Sequence, residues 1–364
     1  MNKLKSLAAA ITALTMCFSG AAAFDDVNNM PTIIDSADAP VITALNITDD
    51  ADSAEKQDEP DAAGEQGEKD KASSTKEKAS EEKANSAPVA ENFECETYRN
   101  TSVCGQLLAT DPDGDSFTFE LVTKPRKGTM ELDANGFFTY TPNEGKKGKD
   151  YFGFRAVDLS GNKSQEATAI ISIQKKQTKL TYSDMSGNGS EYAALCLAEN
   201  DIFVGSNLGS SSVFEPERTV SRGEFLAMCL KMSGADVLRG VTRTGFSDDA
   251  QMPAWVKPYV STALLSGVIS GYDSKGAPVF DSDSPISALE AAALLNRILG
   301  ISDVTAVSNM TDDTIPVWGS QALINLRACK ILPLQIDSHA DCITRAEAAQ
   351  MLVGAINLLN NREK

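Results

Sequence analysis

The chain has 364 residues but only one histidine, two tryptophans and 6% aromatic residues. One imidazole excludes a multi-histidine metal centre and argues against a histidine-based nucleophile triad. Positive charge is also scarce, with 33 Lys and Arg against 51 Asp and Glu and a formal net charge of −18. A surface of that sign repels phosphate backbones, so nucleic acid is excluded as a partner. No apolar run reaches the roughly 18–20 residues of a membrane-spanning helix. No Cys/His pair, serine nucleophile elbow or metal motif appears. Motif absence leaves open only a carboxylate pair of the glycosidase kind.

The N-terminus supplies a compartment. Lys3 and Lys5 precede an apolar stretch from Leu7 to Phe18, and Ala21-Ala22-Ala23 follow as a cleavage site. This is the pattern of a secretory signal peptide, residues 1–23. Cys17 follows Met16, a bulky residue where the lipoprotein pattern requires a small one, so export without lipidation is expected. Residues 24–87 form the next segment. Within 24–86 there are 17 acidic and 6 basic residues, with no Cys or Trp. Such a stretch buries too little apolar surface to offset its ordering entropy, and a disordered acidic linker is expected.

Six cysteines follow the signal segment, and an even count in an exported chain favours disulfides. Their sequence-local pairing is Cys95–Cys104, Cys196–Cys229 and Cys329–Cys342. The alternative for Cys196 and Cys229 is that both serve as small reduced core residues on helices.

From residue 88 to 175 short β-rich runs alternate with turns. Phe117, Phe119 and Leu121 alternate with Thr118 and Glu120, and Phe152, Phe154 and Ala156 repeat the period of two. Asp111-Pro112-Asp113-Gly114, Asn135-Gly136 and Ser160-Gly161-Asn162 punctuate the runs. Seven short strands predict an immunoglobulin-like β-sandwich. The centre, Leu107 to Asp115, together with Phe138-Thr139-Tyr140-Thr141-Pro142 and Asp150-Tyr151-Phe152, resembles the bacterial cadherin-like or Ig-like repeat family. That resemblance implies a spacer or adhesive module. Asp111, Asp113 and Asp115 put three carboxylates on one loop, a calcium candidate. The competing reading is a β-turn whose Asp side chains bond the backbone. No other cofactor is expected.

The remainder is helical and repeats three times, over 179–238, 244–303 and 308–362. Tyr182-Ser183-Asp184, Phe246-Ser247-Asp248 and Met310-Thr311-Asp312 open the copies. Later in each copy Ser221 precedes Glu224, Ser287 precedes Glu290 and Thr344 precedes Glu347, three capping boxes directly before apolar-periodic runs. Phe225, Met228, Cys229 and Met232 place one apolar face on the first of these helices. An earlier helix in each copy, near 190–200, 255–266 and 318–329, supplies its partner. Units of this size cannot bury their faces alone, so the three are expected to fold against one another.

The aromatic-x-Asp openings, Trp255 and Trp318, Gly267-Val268-Ile269-Ser270-Gly271 and Thr344-Arg345-Ala346-Glu347 together resemble the S-layer homology family, normally three tandem copies. The resemblance implies non-covalent attachment to a secondary cell-wall polysaccharide, often one carrying pyruvate ketals. Independently, an arginine at the first helical position lies beside the positive end of the helix dipole and bare amides. Arg222 and Arg345 make sense there if an anion completes the site. Trp255 and Trp318 are candidates to stack on sugar rings, and Asp184, Asp248 and Asp312 to accept from sugar hydroxyls, unless they serve as packing and turn residues. Copy two carries Ala288 where the arginine belongs, copy one has Gly189 at the tryptophan position, and Leu334 replaces the second glycine of copy three. At most two pockets are therefore expected.

The sequence predicts a multi-domain chain: a disordered acidic linker, an all-β cadherin-like sandwich and an all-α trimodular bundle. It points to a secreted bacterial protein at the cell wall, binding a peptidoglycan-linked polymer without turnover, with other surface proteins as further candidate partners. The alternatives are a component of a surface lattice and, less well supported, a wall-active enzyme.

Overall fold

The computed structural model describes residues 85–274, 276–302, 315–331 and 340–362. The signal segment, the linker up to residue 84 and Asp312 lie outside the described residues. The first part is a two-layer sandwich. One sheet has four strands in the order β2 (Phe93–Tyr98), β9 (Ala167–Gln174), β8 (Gly148–Asp158) and β5 (Phe117–Thr123). The other orders β3 (Val103–Gln106), β7 (Phe137–Pro142) and β6 (Gly128–Leu132), while β1 (Val89–Ala90) pairs with β4 (Ala109–Thr110). β2 runs parallel to β9, whereas the other pairs are antiparallel. The alternation read in the sequence turns Phe138, Tyr140, Phe152, Phe154 and Ile171 inward to a core from which water is almost absent.

The second part is helical. Copy one comprises α1 (Glu191–Glu199), a hairpin of β10 (Ser206–Leu208) and β11 (Ser211–Val213), and α2 (Arg222–Ser233). Copy two repeats this with α3 (Lys257–Leu265), β12 (Tyr272–Ser274), β13 (Ala277–Val279) and α4 (Ala288–Leu299). Copy three contributes α5 (Val317–Ala328) and α6 (Arg345–Arg362). Ser221 Oγ accepts from the Glu224 amide while the Glu224 carboxylate accepts from the Ser221 amide. Ser287 with Glu290 and Thr344 with Glu347 close in the same way. Helices α2 and α4 end on left-handed Gly234 and Gly300.

What joins the copies is a ring. The residue preceding each cap donates its amide to the carbonyl of the equivalent residue in another copy. Val220 donates to Ile343 at 3.0 Å, Ile343 to Ile286 at 3.0 Å, and Ile286 to Val220 at 2.9 Å. All three side chains are buried. A closed triangle of this kind needs three copies, because each one satisfies a backbone group that two alone would strand.

The six cysteines that follow the signal segment are free thiols here, so none of the three expected pairings is made in this structure. Cys95 and Cys104 stand on strands of different sheets. Cys196 and Cys229 are buried core residues on α1 and α2. Burial pushes the Cys196 thiol up to about 12, which disfavours the thiolate that oxidation requires. Cys342 is committed by backbone pairing to Ser287, while Cys329 caps the C-terminus of α5.

Candidate binding site

The opening aspartate of one copy and the arginine of another converge on the same turn. Asp184 accepts the amides of Phe214 at 2.9 Å and Glu215 at 2.7 Å. Asp248 does the same for Phe280 at 3.1 Å and Asp281 at 2.7 Å. Glu215 and Asp281 sit at φ 56° and 55°, a left-handed conformation that costs roughly 1 kcal/mol or more and persists only when held. Both aspartates are therefore engaged as fasteners of these turns. The glycines nearby answer the same packing. Gly205 and Gly271 adopt φ 71° and 73°, and a Cβ at either would strike a hairpin carbonyl and the opening aromatic, Tyr182 or Phe246.

The carbonyl side of the turn is held by arginine. Arg222 Nε donates to the Phe280 carbonyl at 2.9 Å and Nη1 pairs with Glu290 at 2.6 Å. Its guanidinium lies 5.4 Å from the Phe280 ring centroid. Arg345 Nη1 donates to the Phe214 carbonyl at 3.0 Å and to Glu215 at 2.7 Å, with its guanidinium 5.0 Å from the Phe203 ring centroid. The Arg345 side chain is 5% exposed, and burial together with neighbouring Arg218 lowers its pKa.

The helix N-termini differ from the sequence expectation of bare amides. Arg222 N donates to Ser284 O and Gly223 N to Ser282 O, while the Glu224 amide is capped by Ser221. Arg345 N donates to Arg218 O, Ala346 N to Pro216 O, and the Glu347 amide to Thr344. Carbonyls of a neighbouring copy thus take the first-turn donors that an anion would have used.

An open cleft remains beside Arg222. Its walls come from all three copies: Arg222 from the first, Ser270, Phe280, Glu290 and Arg297 from the second, and Trp318 from the third. Trp318 is half-buried against the helical core. Trp255, in the turn that precedes copy two's leading helix, is 53% exposed and stands edge-on to Tyr259 with centroids 6.5 Å apart. Arg297 was missed in the sequence. It sits in the last turn of α4, where a cation reads as complementing the helix dipole, and its bond to the Val268 carbonyl is long at 3.3 Å. Lys231 holds the same place in α2 and reaches Ile202 O at 3.4 Å.

In the sandwich, Asp111 Oδ1 accepts from the amides of Asp113 and Asp115, and Asp113 accepts from the Ser86 amide at 2.6 Å. These carboxylates fasten a turn. Among the described residues no three metal-ligating side chains gather in one place, and no helix is long and apolar enough to cross a membrane.

Residues 85–175 match the bacterial cadherin-like domain family. Three curated relatives resemble longer stretches. The exoglucanase XynX of Acetivibrio thermocellus is 26% identical over 233 residues, 62% of this chain and 20% of that protein. An amylopullulanase of Thermoanaerobacterium thermosulfurigenes is 24% identical over 72% of this chain and 14% of its own length. The surface-layer 125 kDa protein of Lysinibacillus sphaericus is 25% identical over 35% of this chain and 10% of its own. The chain spans a fifth or less of each relative's length. The chain thus combines a cadherin-like domain and a helical region with similarity to parts of surface-layer and polysaccharide-degrading proteins.

Proposed function

We propose that this is a secreted bacterial surface protein held non-covalently on the cell wall by three S-layer homology copies, which grip a carboxylated, pyruvylated secondary wall polysaccharide. The observation that carries the reading is the cleft built from three copies, where Arg222, Arg297 and Trp318 face one opening. Guanidinium groups recognise carboxylates by paired charge-assisted bonds, and an indole offers a face for a pyranose. Arg345 and Trp255 hold the equivalent places one copy earlier. Asp184 and Asp248 shape these sites by fixing the turns. The cadherin-like sandwich serves as the spacer or adhesive unit carried by the anchor.

Binding without turnover fits this arrangement. The relatives that degrade polysaccharide are far longer than the stretch shared with this chain, so their chemistry does not pass to it by similarity. The surface-layer relative keeps a second reading in play, a subunit of a two-dimensional lattice. Purified full-length protein is mixed with purified walls of the producing bacterium, intact or mildly acid-treated to remove ketals, and sedimented. The reading expects capture by intact walls and loss of capture after acid. Equal capture by both walls refutes the carboxylate role, and regular sheets formed without walls favour the lattice.

A further inference from the structure

We propose that the ligand's carboxylate is gripped by Arg297, and by Lys231 at the equivalent place in copy one, while Arg222 and Arg345 are positioning residues that build the walls. This rests on the polysaccharide reading above. The argument begins with charge. Arg222 has a carboxylate at 2.6 Å and a side chain 13% exposed. Arg345 has Glu215 at 2.7 Å and Glu224 at 3.9 Å. A guanidinium already paired with a carboxylate contributes little net field to a second anion. Arg297 and Lys231 are exposed and, among the described residues, have no carboxylate within ion-pair distance. Each is bonded only to the carbonyl that follows its copy's leading helix, which holds the charge beside the opening.

The register of the copies limits the number of sites. Each site takes its buried arginine from one copy and its exposed cation from the next: Arg345 with Lys231, and Arg222 with Arg297. The third combination is Ala288 with Gly354. Gly354 lies within α6, which runs on to its last-turn cation Arg362, and a Cβ there would come within 3.1 Å of Ile331. Packing at this place leaves no room for a cation, so the inference covers two anion sites.

The test measures capture of the full chain on purified walls of the producing bacterium across a protein concentration series. Arg297→Gln with Lys231→Gln is expected to weaken capture at least tenfold, with unchanged helix content and thermal midpoint. Arg297→Lys with Lys231→Arg restores it to within threefold. Lys124→Gln with Lys163→Gln, which removes two exposed cations from the sandwich instead, retains capture within threefold. Wild-type-like capture by the double Gln variant overturns the inference and leaves wall anchoring standing. Failure of the unmodified protein to bind walls overturns both.

Discussion

The Arg222–Glu290 pair spans two copies and offers a direct measure of what holds them together. Arg222→Met keeps the aliphatic stem against Phe280 and Tyr272 and deletes the charge. Glu290→Gln keeps an acceptor for the Ser287 amide, so the capping box survives. Breaking a fully buried pair from one side costs about 3–5 kcal/mol. Here Glu290 is 26% exposed and can recover some hydration, so Arg222→Met should cost about 2–3 kcal/mol. Glu290→Gln leaves Arg222 its Phe280 carbonyl and ring contacts and should cost about 1–2 kcal/mol. The double variant should fall short of the sum by a coupling of about 1–2 kcal/mol. The chain's two tryptophans, Trp255 and Trp318, both lie in the helical array. Urea unfolding followed by their fluorescence therefore reports this part alone. A coupling below about 0.3 kcal/mol would show that the pair does not tie the copies, and the account of the arginines would fail with it.

Three further outcomes are expected. Tyr182 is buried with a hydroxyl that has no hydrogen-bond partner among the described residues, and copy two carries Phe246 at this place. Tyr182→Phe should raise stability by about 0.5–1 kcal/mol in urea unfolding, since an unpaired buried hydroxyl costs more than it returns; a loss above 1 kcal/mol would contradict this. Between pH 7 and 2, Asp249 and Glu191 act in opposite senses. Lys257 and the Thr244 amide hold the Asp249 carboxyl down to about 2, against 3.8 unfolded. Its stabilising contribution is complete above 3.8 and lost as pH falls through about 2, so Asp249→Asn should shrink the acid limb of the unfolding midpoint. Burial raises the Glu191 pKa, so the folded form prefers the proton and stability gains as pH falls through that raised value. Glu191→Gln should flatten that gain, and an unchanged profile would refute the assignment.

Local order was legible in the sequence because local rules produce it. The period-two runs around Phe119 and Phe154 became strands, since alternation is what a half-buried strand requires. The spacing of Ser221 to Glu224, and its two equivalents, became closed capping boxes because that chemistry needs only four residues. The fate of the arginines was not legible. Seen alone, a helix beginning at Arg222 has free amides and an exposed guanidinium. The groups that satisfy them, Ser284 O, Phe280 O and Glu290, lie some sixty residues downstream and arrive only through the ring at Val220, Ile286 and Ile343. The same distance hid Arg297, whose last-turn position has an adequate local explanation. A useful signal was present all the same: reading the three copies against each other shows Lys231, Arg297 and Gly354 in one register, varying in step with Arg345, Arg222 and Ala288.

The two parts of the chain are joined through α1. Its first residue, Glu191, is buried and accepts the Ser102 amide at 3.4 Å, and its last, Glu199, accepts from Tyr98 Oη at 2.8 Å. Tyr192 packs on both cores, its ring tilted against Tyr98 with centroids 5.0 Å apart. Backbone bonds from Cys104 to Gly189 and from Tyr192 to Ser102 complete the junction. A sandwich serving only as a loose bead would meet the helices through a polar linker and water. Here strand β3, already paired with β7, also takes a carbonyl from the segment that caps α1. Rotating the sandwich would break these bonds together with the contacts of buried Tyr98 and half-buried Tyr192, so the junction transmits orientation. Under the proposed function, an anchor on the wall would then fix the direction in which the sandwich projects, which a flexible tether between the same two domains would leave free.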